Sequence, residues 1–224
     1  MTSPTAAPAR FVLGVDLGQA RDWTAICVAE RFLGPPLRVD VGHLERPPLG
    51  TRYPAVVDRV ARLAVALRTR TPAPAVQVAI DYTGVGRAVL DIFREVDLAG
   101  ASLVPITIHG GSAVVPDEGG FHVPKRDLVG AVQALLQTGR LKVADALPEA
   151  ATLAKEMTEF RVRIGLGGHD SYGVADDWRE GAHDDLVLAV AMACWLAGRE
   201  PPAARSYSYL DATDDDERRE WWTR

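Results

Sequence analysis

The chain has 224 residues, a composition typical of globular proteins and a formal net charge of −5. Its two cysteines lie inside apolar runs, so the sequence predicts no disulfide framework and favours a reducing compartment. Five of the acidic residues fall within residues 211–217 and leave the rest of the chain formally neutral, so total charge neither supports nor excludes DNA as a partner.

Composition divides the chain into three segments. Residues 1–10 are rich in Pro, Ala and Thr and predict a disordered N-terminus, whereas residues 200–224 predict an acidic, flexible tail. Between them, residues 11–199 predict one compact domain. The apolar run 186–197 is too short to span a bilayer, which needs about 20 apolar residues, so we expect a buried helix and no membrane association.

Apolar periodicity within the compact segment predicts alternating strands and helices. We predict strands at residues 11–16, 23–32, 37–44, 76–81 and 101–108. We predict helices at residues 53–70, 85–97, 147–158 and 184–198, and a further helix with a short extended piece within 123–143. Residues 109–120 are predicted to be a Gly-rich loop and residues 159–175 a hairpin. This order predicts an α/β fold, with an antiparallel meander followed by parallel strands in one mixed sheet and helices packed on it.

Four aspartates stand at the ends of these elements. Asp16 ends the first strand and Asp81 ends the fourth, while Asp184 and Asp185 directly precede the apolar run 186–197. Because strand ends and helix N-termini converge on one edge of such a sheet, we expect the four carboxylates to meet in space. Taken singly, each has a simpler interpretation: Asp184 as a helix cap, Asp185 as a partner of the helix dipole, and Asp16 as the start of a turn.

A cluster of carboxylates favours a divalent cation, because the cation removes their mutual repulsion. Mg²⁺ and Mn²⁺ both prefer oxygen ligands. Two such ions about 4 Å apart can activate a water molecule and stabilise a departing oxyanion in phosphodiester cleavage. The sequence therefore predicts a divalent-metal site suited to Mg²⁺ or Mn²⁺, with few other side chains needed for the chemistry.

Four segments in order resemble the nuclease domain of phage large terminases: GVDLGQARDWTAICV, AIDYTGVG, VPKRDLVGAVQALLQTGRLKV and HDDLVLAVAMA. The resemblance spans about residues 11–198. It implies an RNase H-like fold with helices on both faces of the sheet, related to Holliday-junction resolvases. It also implies two-metal cleavage of double-stranded DNA during viral genome packaging, in the cytoplasm of a bacterial host if the chain is encoded by a phage or prophage.

The resemblance also assigns roles to the acids. Asp16 would bridge both metal ions and Asp81 would bind one of them. Asp185, together with Asp184, would bind the other. We prefer Asp185 as the principal ligand, because Asp184 is better placed to cap the helix.

The sequence departs from the large terminases in one respect. Those proteins carry an ATPase motor ahead of the nuclease, whereas no G-x-x-x-x-G-K-[ST] phosphate loop occurs here. We therefore expect this chain not to translocate DNA by itself and to work with a separate packaging ATPase or portal, if packaging is its role.

Further positions are weaker candidates for DNA contact. Lys125 and Arg126 begin a helix and would meet backbone phosphates, and Arg161 and Arg163 alternate on one face of the predicted hairpin. Thr83 and Gly84 permit close backbone approach at a helix N-terminus. Ordinary turns and solvated faces explain each of these equally well. The remaining candidates, for an indirect role beside the metal ligands, are Asp22 and His183.

Three other functions compete with the terminase-like nuclease. A junction-resolving nuclease would share the fold. An actin-like ATPase or sugar kinase would share the G-x-D-x-G turn after the first strand but would not need the acids at residues 184–185. A non-catalytic DNA-binding or assembly subunit would not need intact acids at every position.

Overall fold

The computed structural model describes residues 10–18, 22–32, 36–69, 74–84, 86–117, 119–164, 170–174 and 184–199, with only the backbone described at 86–87, 160–164 and 170–174. The N-terminal residues 1–9 and the acidic tail therefore lie outside the described part. Within these ranges no helix combines the length and the apolar character needed to cross a membrane.

The centre of the molecule is a mixed sheet of eight strands. An antiparallel meander forms first, from β1 (Arg10–Asp16), β2 (Ala25–Phe32) and β3 (Arg38–Glu45). Helix α1 (Tyr53–Arg68) then leads to β4 (Ala75–Asp81), which pairs in parallel with β1, and α2 (Gly86–Glu95) leads to β5 (Ser102–His109), parallel to β4. The predicted α/β class and the meander-then-parallel order are confirmed.

The second half of the chain completes the sheet and adds three helices. It contains β6 (Val115–Asp117), β7 (Gly120–Pro124), α3 (Lys125–Gln137), β8 (Leu141–Val143), α4 (Ala150–Glu159) and α5 (Asp185–Ala197). The predicted hairpin forms a separate antiparallel pair, β9 (Phe160–Ile164) with β10 (Asp170–Val174). The strand order in the main sheet is β6-β7-β5-β4-β1-β2-β3-β8.

The Gly-rich loop predicted at residues 109–120 is wrong in part, because it contains β6 and the first residue of β7. Gly119 has φ +81° and turns the chain between the two strands. A side chain at Gly120 would place its Cβ 2.1 Å from the carbonyl oxygen of Pro105 on β5, so glycine lets β7 approach its parallel neighbour. Short strands containing proline and bounded by glycine lack the alternation that identifies a strand in sequence.

Two apolar cores lie on opposite faces of the sheet, which confirms helices on both faces. Helices α1 and α2 cover one face, and α3, α4 and α5 cover the other. Strand β1 is buried along its whole length because it has a neighbour on each side and helices on both faces. Helix α5 is apolar around its whole circumference, as expected for a helix that other elements enclose.

A buried arginine holds the C-terminal end of α5. The guanidinium of Arg10, which is only 3% exposed, donates hydrogen bonds to Gln77 on β4 and to the carbonyl oxygens of Leu196 and Arg199. The last carbonyl groups of a helix have no partner within the helix, so Arg10 satisfies part of this need. These hydrogen bonds fix the C-terminal end of α5 against the start of β1. Arg10 is also the last residue of the segment that the sequence predicts to be disordered, but it belongs to β1.

Candidate active site

Asp16 and Asp81 end two adjacent parallel strands at the same level. Val15 on β1 pairs in register with Ile80 on β4, so the next residue of each strand is an aspartate. Both aspartates fall on the face covered by α5, because Val12 and Ala79, which share their parity along the strands, pack in that core. Asp16 is only 8% exposed. The strand pairing itself therefore brings two carboxylates together at the carboxyl end of the sheet.

A glycine lets α5 approach β1 closely at this point. A Cβ built on Gly14 would lie 1.9 Å from the carbonyl oxygen of Ala189, so no other residue fits there without moving the helix. Gly14 precedes Asp16 by two residues on the same strand face, and Ala189 follows Asp185 by about one helical turn. The close approach therefore sets Asp185, which is 6% exposed, beside the aspartates of the strand ends.

Asp184 has a different role from the cap that its position predicts. It occupies the N-cap position of α5, but its side chain makes no capping hydrogen bond. Its Oδ2 instead accepts a hydrogen bond from Nζ of Lys125, the first residue of α3, at 2.9 Å. The prediction that Asp184 caps the helix by its side chain is therefore wrong, because a lysine from another element competes for the carboxylate.

Glu156 on α4 supplies the missing cap. Its Oε2 accepts hydrogen bonds from the backbone N–H groups of Leu186 at 3.0 Å and Val187 at 3.3 Å, and its Oε1 pairs with Arg46 at 3.4 Å. Burial raises the pKa of Glu156 to about 7, although the Val187 hydrogen bond opposes the shift. Sequence reasoning missed this residue. The available signal was its spacing three residues after Leu153, which puts a glutamate on the buried side of α4.

The acids at the sheet edge interact strongly. Burial is the largest effect and raises the pKa of Asp16 well above its usual range. The negative charges of Asp81, Asp185 and Asp184 raise it further, in that order, and the ammonium of Lys125 opposes them. A cation placed among these groups would relieve both the burial penalty and the repulsion.

The pKa of Asp81 is raised by burial as well, against several opposing contacts. The backbone N–H of Thr83 donates to Asp81 Oδ1 at 2.7 Å, and the Thr83 hydroxyl oxygen accepts from the N–H of Ile108 on β5 at 2.9 Å. Thr83 therefore links Asp81 to the neighbouring strand β5 and positions the Asp81 carboxylate.

The donor set suits a hard divalent ion, since it consists of buried carboxylates that repel one another. In the described ranges, however, no three His, Cys, Asp or Glu side chains already stand where they would jointly hold an ion. The Lys125 ammonium pairs with Asp184 at 2.9 Å.

Residues 13–195 match the family model described as the terminase RNaseH-like domain. The chain belongs to this family. Comparison with curated proteins finds no match for this terminase RNaseH-like domain. The match begins within β1, ends within α5 and includes each of the four aspartates at the edge.

Solved structures agree with this fold. The large terminase nuclease from thermophilic phage G20c is 21% identical with TM-score 0.54, and the alignment covers 83% of this chain and 81% of that one. The Mn-soaked human cytomegalovirus terminase nuclease domain is 14% identical with TM-score 0.52, covering 83% and 82%. The HK97 bacteriophage large terminase is 18% identical with TM-score 0.53, covering 86% of this chain but 40% of that one. Family and fold together support a nuclease of the RNase H-like superfamily.

The structure also places several other residues of this terminase-like domain that the sequence singles out. Arg126 donates to the carbonyl oxygen of Ser112 at 2.7 Å and so holds the loop before β6. Gly84, with φ +68°, forms the turn before α2. Asp22 is exposed and lines a cavity of about 420 Å³ together with Thr24 and Arg52.

The two arginines of the hairpin have only their backbone described. Arg161 and Arg163 lie two residues apart on β9, opposite Gly173 and Ser171 of β10. Residues two apart on a strand share a face, as the sequence predicts. His183 lies outside the described residues.

Proposed function

We propose that this chain is a metal-dependent endonuclease that cleaves double-stranded DNA by a two-metal mechanism. The observation that carries the proposal is the meeting of three elements at one edge. Asp16 and Asp81 end adjacent parallel strands, and the buried Asp185 begins a helix that Gly14 admits onto the same strand face. Buried carboxylates whose charges repel one another are suited to divalent ions, and their repulsion does not stabilise the folded state.

Each acid has a role in the proposal. Asp16 interacts with each of the other three carboxylates and would bridge two Mg²⁺ or Mn²⁺ ions. Asp81 would bind one ion, and Asp185, with Asp184, the other. The bound ions would supply an activated water and stabilise the leaving oxyanion. The chain's own contribution is to hold these oxygens on a rigid sheet edge, with Thr83 fixing Asp81 and Glu156 fixing the first turn of α5.

The backbone of the DNA would lie along the same edge. Lys125 is the described cation nearest to the acids, and we assign it to a backbone phosphate close to the cut. Arg161 and Arg163 on the hairpin would contact phosphates further along the duplex. Such contacts predict weak binding with little sequence preference that falls steeply with salt.

The biological setting belongs to the proposal as well. We propose that residues 11–199 act as a nuclease domain in viral genome packaging, inside the bacterial host cell, and work with a packaging ATPase and portal. Membership of the terminase RNaseH-like family supports this setting. It also disfavours the actin-like ATPase or sugar-kinase alternative, whose chemistry does not need the acids at the start of α5.

The test is cleavage of supercoiled plasmid with Mg²⁺ or Mn²⁺. The parent is expected to nick and then linearise the plasmid, and Asp16→Asn, Asp81→Asn and Asp185→Asn are each expected to lose this activity. The matched control is Asp58→Asn, an exposed aspartate of α1 paired with Arg62 at 3.0 Å, which should cut like the parent. Equal cutting by the three site variants would refute the assignment.

Two further substrates separate the alternatives. A synthetic four-way junction cut faster than linear duplex would favour a resolvase. DNA binding by the parent without cleavage in either metal would favour a non-catalytic assembly subunit.

A further inference from the structure

Lys125 places a positive charge inside the group of aspartates. Its Nζ lies 2.9 Å from Oδ2 of Asp184, and both side chains are about one-quarter exposed. The same ammonium acts on the strand-end acids, since it lowers the pKa of Asp16 and of Asp81 against the effect of burial. One lysine thus attracts carboxylates from β1, β4 and the start of α5.

The backbone of Lys125 is held firmly by its surroundings. The residue before it, Pro124, ends β7 and pairs in register with His109 of β5. Helix α3, which Lys125 begins, packs through Leu128 and Val132 in the core that contains α5. The lysine is therefore delivered to the acids by two packed elements, and only its side chain can move away from them.

We propose that Lys125 is a built-in counter-ion, which occupies the cation position of the acidic site in the metal-free protein and competes with a divalent ion for Asp184. The inference rests on the proposed function, because the divalent ion is part of that proposal. It agrees with the finding that no described acids already form a metal-holding group, since the carboxylate nearest to the helix start is turned towards the ammonium.

The competition has a physical consequence for DNA. An ammonium displaced from Asp184 would remain within one side-chain length of the acids, because α3 is packed in the core that contains α5. It is then available to a backbone phosphate, which is the contact assigned to it above. Metal binding would therefore free the Lys125 ammonium to contact a backbone phosphate of the bound DNA.

The experiment measures Mn²⁺ affinity calorimetrically, without DNA, for the parent and for Lys125→Met, which keeps a similar length but has no charge. We expect Lys125→Met to bind Mn²⁺ about tenfold more tightly, because the competing cation is gone. Lys125→Arg keeps the charge and should stay near the parent. Lys155→Met removes the same charge at a position 74% exposed on α4 and controls for the change in net charge.

A second readout separates this role from a purely structural one. Without metal, Lys125→Met should melt at a lower temperature than the parent, because the acids lose their cation. With saturating Mn²⁺ the deficit should disappear or reverse, since tighter binding of an ion to the folded state stabilises that state more. A structural role for the lysine predicts the same deficit with and without Mn²⁺, and that result would overturn the inference.

The two proposals fail in different ways. A parent that binds no Mn²⁺ overturns both of them. The counter-ion proposal alone is overturned if the parent binds Mn²⁺, Asp16→Asn does not bind it, and Lys125→Met binds it no more tightly than the parent. If Lys125→Met does not fold, the neutral and more polar Lys125→Gln replaces it in both measurements.

Discussion

The carboxylate of Glu156 accepts a hydrogen bond at 3.0 Å from the backbone N–H of Leu186, 30 residues further along the chain. Helix α5 is thus capped by a residue of helix α4, and its own N-cap residue, Asp184, is left to interact with Lys125. This exchange explains how two adjacent aspartates precede an almost completely buried helix. Asp184 makes no side-chain capping hydrogen bond, and both aspartates lie at the edge where the strand-end acids lie.

Glu156→Ala should destabilise the protein by about 1–3 kcal/mol, because it leaves two buried backbone N–H groups without an acceptor. Glu156→Gln retains one oxygen acceptor and should cost less. Urea unfolding measures both variants. Glu159→Ala, at the more exposed end of the same helix, should change stability by less than about 0.5 kcal/mol. Equal losses in Glu156→Ala and Glu159→Ala would contradict the capping role.

Gly14→Ala should destabilise the protein by about 3 kcal/mol and weaken Mn²⁺ binding. Its Cβ would lie 1.9 Å from the carbonyl oxygen of Ala189, so α5 must move and take Asp185 with it. The control is Gly42→Ala on β3, where an added Cβ meets nothing within 4 Å. Unfolding and Mn²⁺ titration of the two variants test this together. A Gly14→Ala protein with parental Mn²⁺ affinity would show that this contact does not position the acids.

The metal-free protein should lose stability as the pH rises above the ordinary aspartate pKa of 3.8, because folding raises the pKa of Asp16. A group with a raised folded pKa stabilises the fold fully below its unfolded pKa, and that contribution is lost as the pH rises through the folded value. In EDTA at pH 8, Asp16→Asn should therefore be more stable than the parent by about 0.5–2 kcal/mol. Urea unfolding at pH 5 and pH 8 checks this, with Asp58→Asn as control. A less stable Asp16→Asn at pH 8 would contradict the repulsion described here.

Mn²⁺ affinity should rise with pH over the same interval. The raised pKa of Asp16 and of Asp81 means that protons compete with the metal for these carboxylates, so binding should release protons below the folded pKa values. Calorimetry in two buffers of different ionisation enthalpy measures that release. A Mn²⁺ affinity independent of pH from 5 to 8 would argue against ligation by these acids.

Local patterns predicted the features of the site that depend on strand and helix ends. Asp16 and Asp81 follow continuous apolar runs, and parallel strands with helices on both faces bring such ends to one edge. The pairing of Lys125 with Asp184 and the cap from Glu156 depend on contacts 59 and 30 residues apart in sequence, which no local pattern encodes. Strand β6 was missed because three residues between glycine-rich turns are too few to show a period.

Anomalous scattering of Mn²⁺ in crystals soaked with the ion shows most directly whether Asp16, Asp81 and Asp185 bind divalent ions. We predict two Mn²⁺ peaks about 4 Å apart. Asp16 should lie between them, Asp81 at one and Asp185 at the other, with Lys125 withdrawn from Asp184. Crystals that take up Mn²⁺ elsewhere, while these aspartates keep their metal-free contacts, would contradict this prediction.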